Sequence, residues 1–179
     1  MRTNFRYCFL SVLLMTSLMA YAERTSISHD FADMVSKSQL TATNSNKTIT
    51  TADMIYTCVG TNAVFAKDHF YNSKWSIKLL DRNDKVTTTL IDELCEIDIV
   101  HCPEDKPCEN IKIYVSNDSI EWGDPLSGSQ ITYDKGSINA TVPRDSYYVR
   151  ILNNSTTDVS LIGIVYYQDH CPGCFLFKP

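Results

Sequence analysis

The chain has 179 residues, of which 44% are hydrophobic and 21% are charged, and its formal net charge is −5. This composition is typical of one globular domain with a single core, and it excludes a disordered chain or a coiled coil. An acidic chain without a basic cluster is a poor match for nucleic acid or an anionic membrane surface, so neither is expected as a partner.

The first 22 residues have the three parts of a secretory signal peptide. Arg2 and Arg6 supply the positive start, Cys8 to Ala20 form an apolar run, and Ala20-Tyr21-Ala22 is a small-x-small cleavage site. The apolar run is shorter than the ~20 residues of a membrane-spanning helix. We therefore expect a secreted protein that has no membrane span and whose mature chain begins near Glu23. It would be extracellular or, in a bacterium, periplasmic or on the cell surface.

Residues 23 to 48 form a polar segment rich in Ser, Thr, Asn and Lys ahead of the main domain. The composition predicts an arm or a lead-in strand, and its one helix-compatible stretch is Asp30 to Val35. We expect no binding chemistry in this segment. The main domain is expected to span residues 49 to 179.

From Thr48 onward the chain breaks into short segments rich in Val, Ile, Thr and Tyr, each closed by Asn, Asp, Gly or Pro. This pattern is typical of an all-β, antiparallel β-sandwich of jelly-roll type, and no long helical pattern interrupts it. A brief helical turn fits Ile91 to Leu94. The predicted strands are Ile49 to Cys58, Asn62 to Lys67, Lys74 to Leu80, Lys85 to Leu90, Cys95 to Val100, Asn110 to Ser116, Gln130 to Tyr133, Ser137 to Val142, Tyr147 to Leu152 and Asp158 to Tyr167.

Alternation along the strands indicates which side chains face the core. Ile111, Ile113 and Val115 occupy every second position of their strand, and successive strand side chains point to opposite faces. We therefore expect these three residues on the core side. The stretch Asp158 to Tyr167 is apolar on both faces, which predicts a central strand in its sheet.

Cysteines behind a signal peptide predict disulfides. Of the seven in the chain, Cys8 lies in the signal, and the remaining even number indicates up to three bridges. Cys102 and Cys108 are the favoured pair, because Pro103 and Pro107 hold the ends of the short loop between them close together. The connectivity of the others is left open, and they are Cys58, Cys95, Cys171 and Cys174.

Two other interpretations of the cysteines are weaker. Cys171-Pro-Gly-Cys174 has redox-pair spacing, but such a pair depends on a helix N-terminus, and this one follows a strand near the end of the chain. A zinc site is the other interpretation. Its ligands would come from two clusters that are far apart in sequence, and the fold would have to bring these together: His101 and Cys102, and His170, Cys171 and Cys174. Secretion favours disulfides over both, so no metal site is predicted here.

No motif in the sequence indicates a particular enzymatic reaction. The histidines are scattered and lack a nucleophile or zinc-hydrolase setting, so we expect the protein not to be an enzyme. A small glycan hydrolase is the less favoured alternative, and it needs two carboxylates converging in a concave site. The carboxylates at predicted strand ends are expected to be solvated turn residues, and they are Asp81, Asp84, Asp92, Glu93, Glu104 and Asp105.

One motif resembles a known superfamily. The stretch Ile111 to Trp122, followed by Tyr147-Tyr-Val-Arg-Ile151, resembles the discoidin-like or galactose-binding-like jelly rolls. In that superfamily a strand ending in Val-x-x-Ser-x-Asp-Gly-x-x-Trp precedes a Tyr-Val/Ile-Arg-Ile strand, and this chain has Ser119 where Gly is usual. The stretch from Asp30 to the Cys171-Pro-Gly-Cys-Phe175 ending also resembles small, uncharacterised secreted β-sandwich proteins of polysaccharide-degrading gut bacteria.

The resemblance implies a non-catalytic module that binds carbohydrate through loops at one end of the sandwich. An aromatic ring suits the apolar face of a sugar, while the surrounding hydroxyls need directional polar partners. The competing interpretation is that the tryptophan of the motif is a core or edge-packing residue. The implied ligand-binding residues are Trp122, Asn117, Asp118, Glu121 and Arg150, with Tyr71 and Trp75 as candidates for a second ring.

Two points about partners and cofactors remain open at this stage. The same all-β architecture without a catalytic motif also fits a protein-binding or adhesive module that contacts a cell-surface protein. No cofactor is expected apart from calcium, for which Asp118 and Glu121 offer oxygen ligands without a contiguous calcium-loop spacing. The sequence does not indicate the oligomeric state.

Overall fold

The computed structural model describes residues 23–37, 47–68, 74–102 and 107–170, with backbone alone at Glu23, Asp68, Cys102 and His170. Apart from one short α-helix and one 3₁₀ turn, the regular secondary structure of the described chain is β-strand, which confirms the predicted all-β class. The elements are β1 (Glu23–Asp30), α1 (Phe31–Ser36), β2 (Thr48–Thr50), β3 (Ile55–Val59), β4 (Val64–Asp68), β5 (Lys74–Leu79), β6 (Lys85–Thr88), β7 (Ile91–Cys102), β8 (Ile111–Ser116), a 3₁₀ turn (Gly128–Gln130), β9 (Ile131–Asp134), β10 (Ser137–Asn153) and β11 (Val159–His170).

The strands pair antiparallel in two sheets. The first sheet has the order β9-β10-β7-β11. The edge of β11 that faces away from β7 pairs with β5 at its start and with β1 along the rest of its length. Strand β5 also pairs with β4. The second sheet has the order β2-β3-β6-β10-β8. The predicted central position of the last strand is confirmed, because β11 has neighbours on both edges.

Strand β10 belongs to both sheets and connects them. Its residues 137–147 pair with β7, and its residues 148–153 pair with β8. The pairing register with β7 shifts between Thr141 and Asp145, a stretch that contains Pro143. Proline has no N–H to donate to the ladder, so the pairing is interrupted there and the strand changes sheets. The two strands predicted at 137–142 and 147–152 are therefore one continuous strand.

Side chains that point inward from the two sheets form one core. In β10, Val149 and Ile151 are fully buried, and Arg150 between them is half-buried. Because successive strand side chains point to opposite faces, Arg150 lies on the outer face of the second sheet beside Thr87 and Tyr114. The largest fully buried side chains include Tyr56, Tyr166, Phe31, Phe65, Ile49, Ile77, Leu79 and Leu94.

The segment before the main domain takes part in the sandwich. Residues 23–30 pair with β11 along their whole length, so they form a lead-in strand. The helix-compatible stretch forms α1, where the Asp30 side chain caps the helix by accepting a hydrogen bond from Asp33 N at 2.9 Å.

Two local predictions were wrong. The predicted strand 49–58 is a hairpin of β2 and β3, because Thr51 Oγ1 accepts hydrogen bonds from Asp53 N and Met54 N and closes a tight turn. The predicted helical turn at 91–94 is the start of β7. Glu93 there has a φ of 55°, which places a bulge in the strand instead of a helical turn.

The cysteine predictions also need correction. Cys58, Cys95 and Cys108 are free thiols, so the favoured bridge between Cys102 and Cys108 is not formed in the structure. The Cys108 side chain packs instead in the core cluster. Burial raises the pKa of Cys58 to about 12 and also raises the pKa of Cys108, which makes both thiols poorly reactive. Cys171 and Cys174 lie outside the described residues.

Asp84 is not the solvated turn residue that was predicted. It is 1% exposed, and its carboxylate accepts hydrogen bonds from the backbone N–H groups of Asn62, Leu80 and Asp81 at 3.0–3.3 Å. Gly60 has a φ of 138°, and a Cβ atom at this position would clash with Asp84. The buried Asp84 carboxylate therefore connects two loops by hydrogen bonds, the one that contains Asn62 and the one that begins at Leu80. Of the other predicted turn carboxylates, Asp81 and Asp92 are exposed, Glu93 pairs with Arg144, and Glu104 and Asp105 lie outside the described residues.

Candidate functional site

The loop that follows β8 is organised by the carboxylate of Asp118. Its Oδ1 accepts hydrogen bonds from Ile120 N at 2.8 Å, from Glu121 N at 2.9 Å and from Ser116 Oγ at 2.9 Å. These hydrogen bonds lower the pKa of Asp118, because they favour its charged form. Asp118 was predicted as a ligand-binding residue, and the structure shows that one of its oxygens shapes the loop.

Ser119 takes the backbone conformation that glycine has in the superfamily motif. Its φ of 63° lies in the left-handed region, and its N–H donates to Ser116 Oγ at 3.1 Å. Serine adopts this conformation at a cost, which the hydrogen bonds of the turn offset here. The tight polar turn that the motif implied is therefore formed despite the substitution of Gly by Ser.

Trp122 folds back from this loop onto the outer face of the second sheet. Its Nε1 donates to the carbonyl oxygen of Ser119 at 2.9 Å, and the guanidinium carbon of Arg150 lies 3.8 Å from the centroid of its ring. The ring is half-buried. Part of the ring therefore remains accessible beside the guanidinium. Such a surface can stack against an apolar ligand face.

The two remaining polar candidates in this loop differ in whether their side chains already have hydrogen-bond partners. Asn117 Nδ2 donates to the carbonyl oxygen of Ser146 at 2.8 Å, which ties the loop to β10. Glu121 is exposed, and its carboxylate has no hydrogen-bond or ion-pair partner among the described residues. Glu121 is therefore the polar group of the loop that is free to bind a ligand.

Sequence reasoning missed Ile120, which lies between Asp118 and Trp122. Its side chain is 80% exposed, the highest exposure among the large hydrophobic residues of the described chain. The only available signal was an aliphatic residue inside a polar turn. The tip of the loop thus combines an exposed aliphatic side chain, a free carboxylate and an indole ring.

The second predicted aromatic site is not joined to this loop. Trp75 lies in β5 of the first sheet and stacks on the fully buried Phe65, with ring centroids 5.1 Å apart and an interplanar angle of 24°. This contact makes Trp75 part of the core edge. Tyr71 lies outside the described residues. The structure therefore brings together Trp122, Arg150 and the loop residues, but not Trp75.

Two carboxylates meet on the outer face of the first sheet. Asn139 Nδ2 donates to Glu96 Oε1 and to Asp98 Oδ1, each at 2.6 Å, while Tyr167 donates to Asp98 Oδ2 at 3.0 Å and Arg24 pairs with Glu96. The alternating burial of β7 places these side chains on the face away from the core. Both carboxylates therefore already have partners on this face, namely an amide, a phenol and a guanidinium group.

Potential metal ligands are dispersed over the described part of the chain. Within it, no group of three or more His, Cys, Asp or Glu side chains is placed to hold a metal ion. Calcium bound by Asp118 and Glu121 would need further oxygen ligands from the backbone or from a bound ligand. Among the described residues, no helix is long and apolar enough to cross a membrane.

Comparisons with known proteins find similarity in structure alone. No protein-family model matches the chain, and no curated protein is similar to it above the level expected by chance. The similar solved structures include the family 32 carbohydrate-binding module CpGH89CBM32-6 of Clostridium perfringens, at 19% identity and a TM-score of 0.46 over 65% of this chain and 94% of that chain.

Two further similar structures were solved with a sugar. A family 32 module from NanJ of C. perfringens in complex with galactose has 10% identity and a TM-score of 0.44 over 65% of this chain and 95% of that chain. A family 36 module in complex with calcium and xylotriose has 11% identity and a TM-score of 0.39 over 62% of this chain and 92% of that chain. Carbohydrate-binding modules are the class that the motif of this chain implied. At these identities and TM-scores the similarity by itself assigns neither a family nor a ligand to the protein.

Proposed function

We propose that the protein is a secreted, non-catalytic module that binds a glycan through the loop from Asn117 to Trp122. The observation that carries the proposal is the ring of Trp122, which is partly exposed and lies with its centroid 3.8 Å from the guanidinium carbon of Arg150. A fixed ring next to polar groups is the arrangement that a pyranose needs, since its C–H face is apolar and its hydroxyls need directional partners.

The polar side of the proposed site is supplied by Glu121. Its carboxylate is exposed and unpartnered among the described residues, so it accepts hydrogen bonds from sugar hydroxyls without first breaking a contact. Asn117 and Asp118 support the site indirectly, because their hydrogen bonds fix the loop on which Glu121 and Trp122 lie. This preorganisation reduces the entropy cost of binding.

A glycan panel tests the proposal. The purified protein is applied to a broad glycan and polysaccharide panel with and without calcium, beside the variants Trp122→Ala and Trp122→Phe. We expect binding to weaken about tenfold or more in Trp122→Ala and to be partly retained in Trp122→Phe, because the phenyl ring still stacks. Trp75→Phe is the control, since Trp75 belongs to the core edge. Equal binding by the wild type and a folded Trp122→Ala variant would reject the proposed site.

A specific observation favours protein binding as the second candidate function. Ile120 is 80% exposed at the loop tip, and Ile55 and Val59 are 38% and 42% exposed on the outer side of β3. Strand addition at the β8 edge is disfavoured, because the carbonyl oxygens of Ile111 and Ile113 already accept hydrogen bonds from Tyr133 Oη and Leu126 N. At this edge a protein partner would therefore bind through side chains.

The variant Ile120→Asp distinguishes the two candidates. If the glycan panel shows no binding, the wild type and Ile120→Asp are compared in a pull-down from cell-surface extracts. A partner retained by the wild type and lost by Ile120→Asp supports protein binding. Glycan binding that survives Ile120→Asp but not Trp122→Ala supports the glycan-binding proposal.

A further inference from the structure

A second candidate site lies at the edge of the sandwich, where β1 of the first sheet meets the turn between β2 and β3 of the second. His29 points inward from β1 and is 2% exposed. Its Nδ1 lies 2.6 Å from the Tyr56 hydroxyl oxygen, and its Nε2 lies 3.4 Å from Asp53 Oδ2. The segment containing His29 was expected to carry no binding chemistry, and no sequence motif marks this cluster.

The hydrogen bonds around His29 fix its protonation pattern. Burial lowers the pKa of His29, although Asp53 opposes the effect, so the imidazole is neutral at pH 7. A carboxylate only accepts hydrogen bonds, so the Nε2 that faces Asp53 carries the proton and Nδ1 accepts the proton of Tyr56. Burial raises the pKa of Tyr56 well above its usual value, and its hydroxyl stays protonated.

The Nε2–H group of His29 is only weakly used within the protein. A separation of 3.4 Å is at the outer limit of hydrogen-bond geometry, and the Asp53 side chain is 53% exposed. A buried donor with one long bond lacks part of the hydrogen bonding that it would have in water. A ligand oxygen beside the pair, within hydrogen-bond distance of His29 Nε2, would supply it.

A cavity with room for such an atom adjoins this pair. It has a volume of about 340 Å³ and is lined by Ser28, His29, Met34, Ala52 and Asp53, which come from β1, α1 and the β2–β3 turn. This volume is at the lower end of the range for small-molecule sites, which suits one sugar ring and not an extended oligosaccharide. Met34 and Ala52 give the cavity an apolar wall, while the other three residues give it polar groups.

The charges of the lining residues select the class of ligand. Among the described lining residues, Asp53 supplies the one carboxylate, which would repel an anion, while the His29 N–H donor would repel an ammonium group placed against it. A neutral ligand that both donates and accepts satisfies both residues. Adjacent hydroxyl groups do so, since one donates to Asp53 and the other accepts from His29.

We propose that this cavity is a separate binding pocket for a single neutral sugar ring, with Asp53 and His29 hydrogen-bonded to adjacent hydroxyls and Met34 and Ala52 against its apolar side. The pocket shares no residue with the Trp122 loop, and the two sites lie on different strands of the sandwich. The pocket goes beyond the proposed function, which requires only the loop.

Nuclear magnetic resonance of the histidine side chains tests the pocket directly. The purified protein is titrated with the methyl glycosides of galactose, glucose, mannose, xylose, fucose and N-acetylglucosamine, and with acetate and methylammonium as charged probes. We expect at least one glycoside to shift the His29 imidazole signals in a saturable manner, and neither charged probe to do so. Failure of every glycoside to shift the His29 signals overturns the proposal, as does saturable binding of methylammonium there.

Two variants locate the binding. Asp53→Asn should weaken glycoside binding about tenfold, because one charged hydrogen bond is lost, and Asp53 is exposed enough for the variant to fold. Asp33→Asn on α1 is the matched control and should bind normally. Ala52→Leu fills the mouth of the cavity and should abolish the shift. Unchanged binding in both Asp53→Asn and Ala52→Leu would overturn the proposal.

The outcome is independent of the proposed function. A His29 shift that persists in Trp122→Ala establishes the pocket whether or not the loop binds glycan. Loss of panel binding in Trp122→Ala without any His29 shift in the wild type leaves the loop site intact and rejects the pocket.

Discussion

The guanidinium carbon of Arg150 lies 3.8 Å from the centroid of the Trp122 ring, so a cation–π contact joins strand β10 to the end of the loop after β8. Burial lowers the pKa of Arg150, but an arginine remains charged at any physiological pH. Arg150 Nε is buried without a hydrogen-bond partner among the described residues, so the ring is the main compensation for its desolvation. This contact fixes the ring that the proposed function uses.

Removal of Arg150 should destabilise the protein and release the loop. We expect Arg150→Ala to lower the free energy of unfolding by about 1–2 kcal/mol, because the cation–π contact and the packing of the side-chain stem are both lost. Arg150→Lys should lose less, since it keeps the charge without the planar group. Urea unfolding measures both values. Arg82→Ala is the control at an exposed arginine, and an equal loss in this variant would contradict the specific role of Arg150.

Ser119 should tolerate glycine better than a branched residue. With a φ of 63°, a β-branched side chain is strained, so Ser119→Val should lower the free energy of unfolding by about 1–2 kcal/mol. Ser119→Gly should leave it unchanged or raise it, because relief of strain offsets the entropy of glycine. Thermal unfolding tests both. At Ser127, where φ is −152°, the same change to glycine should only destabilise, and the opposite order at the two sites would refute the assigned turn conformation.

Asp84 should be one of the most sensitive carboxylates of the fold. Asp84→Ala leaves three backbone N–H groups without their acceptor, so we expect a loss of roughly 2–4 kcal/mol in the free energy of unfolding. Chemical denaturation of the variant measures the loss. Asp158→Ala, at an exposed carboxylate, should change stability by no more than about 0.5 kcal/mol. A similar small effect in both variants would mean that Asp84 does not join the two loops.

His29 should make stability depend on pH near neutrality. Its pKa is lowered by burial in the folded state, so the unfolded chain takes up a proton first as the pH falls through about 6.5. The stabilisation is therefore fully present above this pH and is lost as the pH falls, with a slope of at most ~1.4 kcal/mol per pH unit from this group.

Unfolding of the wild type and His29→Gln between pH 7.5 and pH 5.5 measures this slope, which should be smaller in the variant. Asp53→Asn should make it steeper, because Asp53 favours the protonated imidazole. Identical slopes in the wild type and His29→Gln would show that His29 does not resist protonation in the folded state.

Much of the candidate site was predictable because its residues are close together in sequence. The stretch from Ser116 to Trp122 forms its own turn through hydrogen bonds that span two or three residues. The position of Arg150 relative to Trp122 could be inferred only from the resemblance, since 27 intervening residues separate them. The different roles of Asp118 and Glu121 could not be predicted, because they depend on which oxygen atoms the backbone already occupies.

The pocket at His29 shows the opposite case. His29 lies in the first sheet and Asp53 in a turn of the second, and the pairing of β1 with β11 brings His29 to that turn. Neither residue belongs to a local pattern. The sequence therefore indicated the strand and helix of this region but none of its chemistry.

By itself, the sequence determined the all-β class, most strand positions, the side chains that face the core and the polar turn before Trp122. These features follow from alternation and turn residues, which act over a few neighbouring positions. Tertiary structure decided the continuity of β10 across two sheets, the burial of Asp84, the free thiol of Cys108 and the meeting of His29 with Asp53 and Tyr56. Each of these depends on contacts between strands far apart in the chain, which local preferences do not encode.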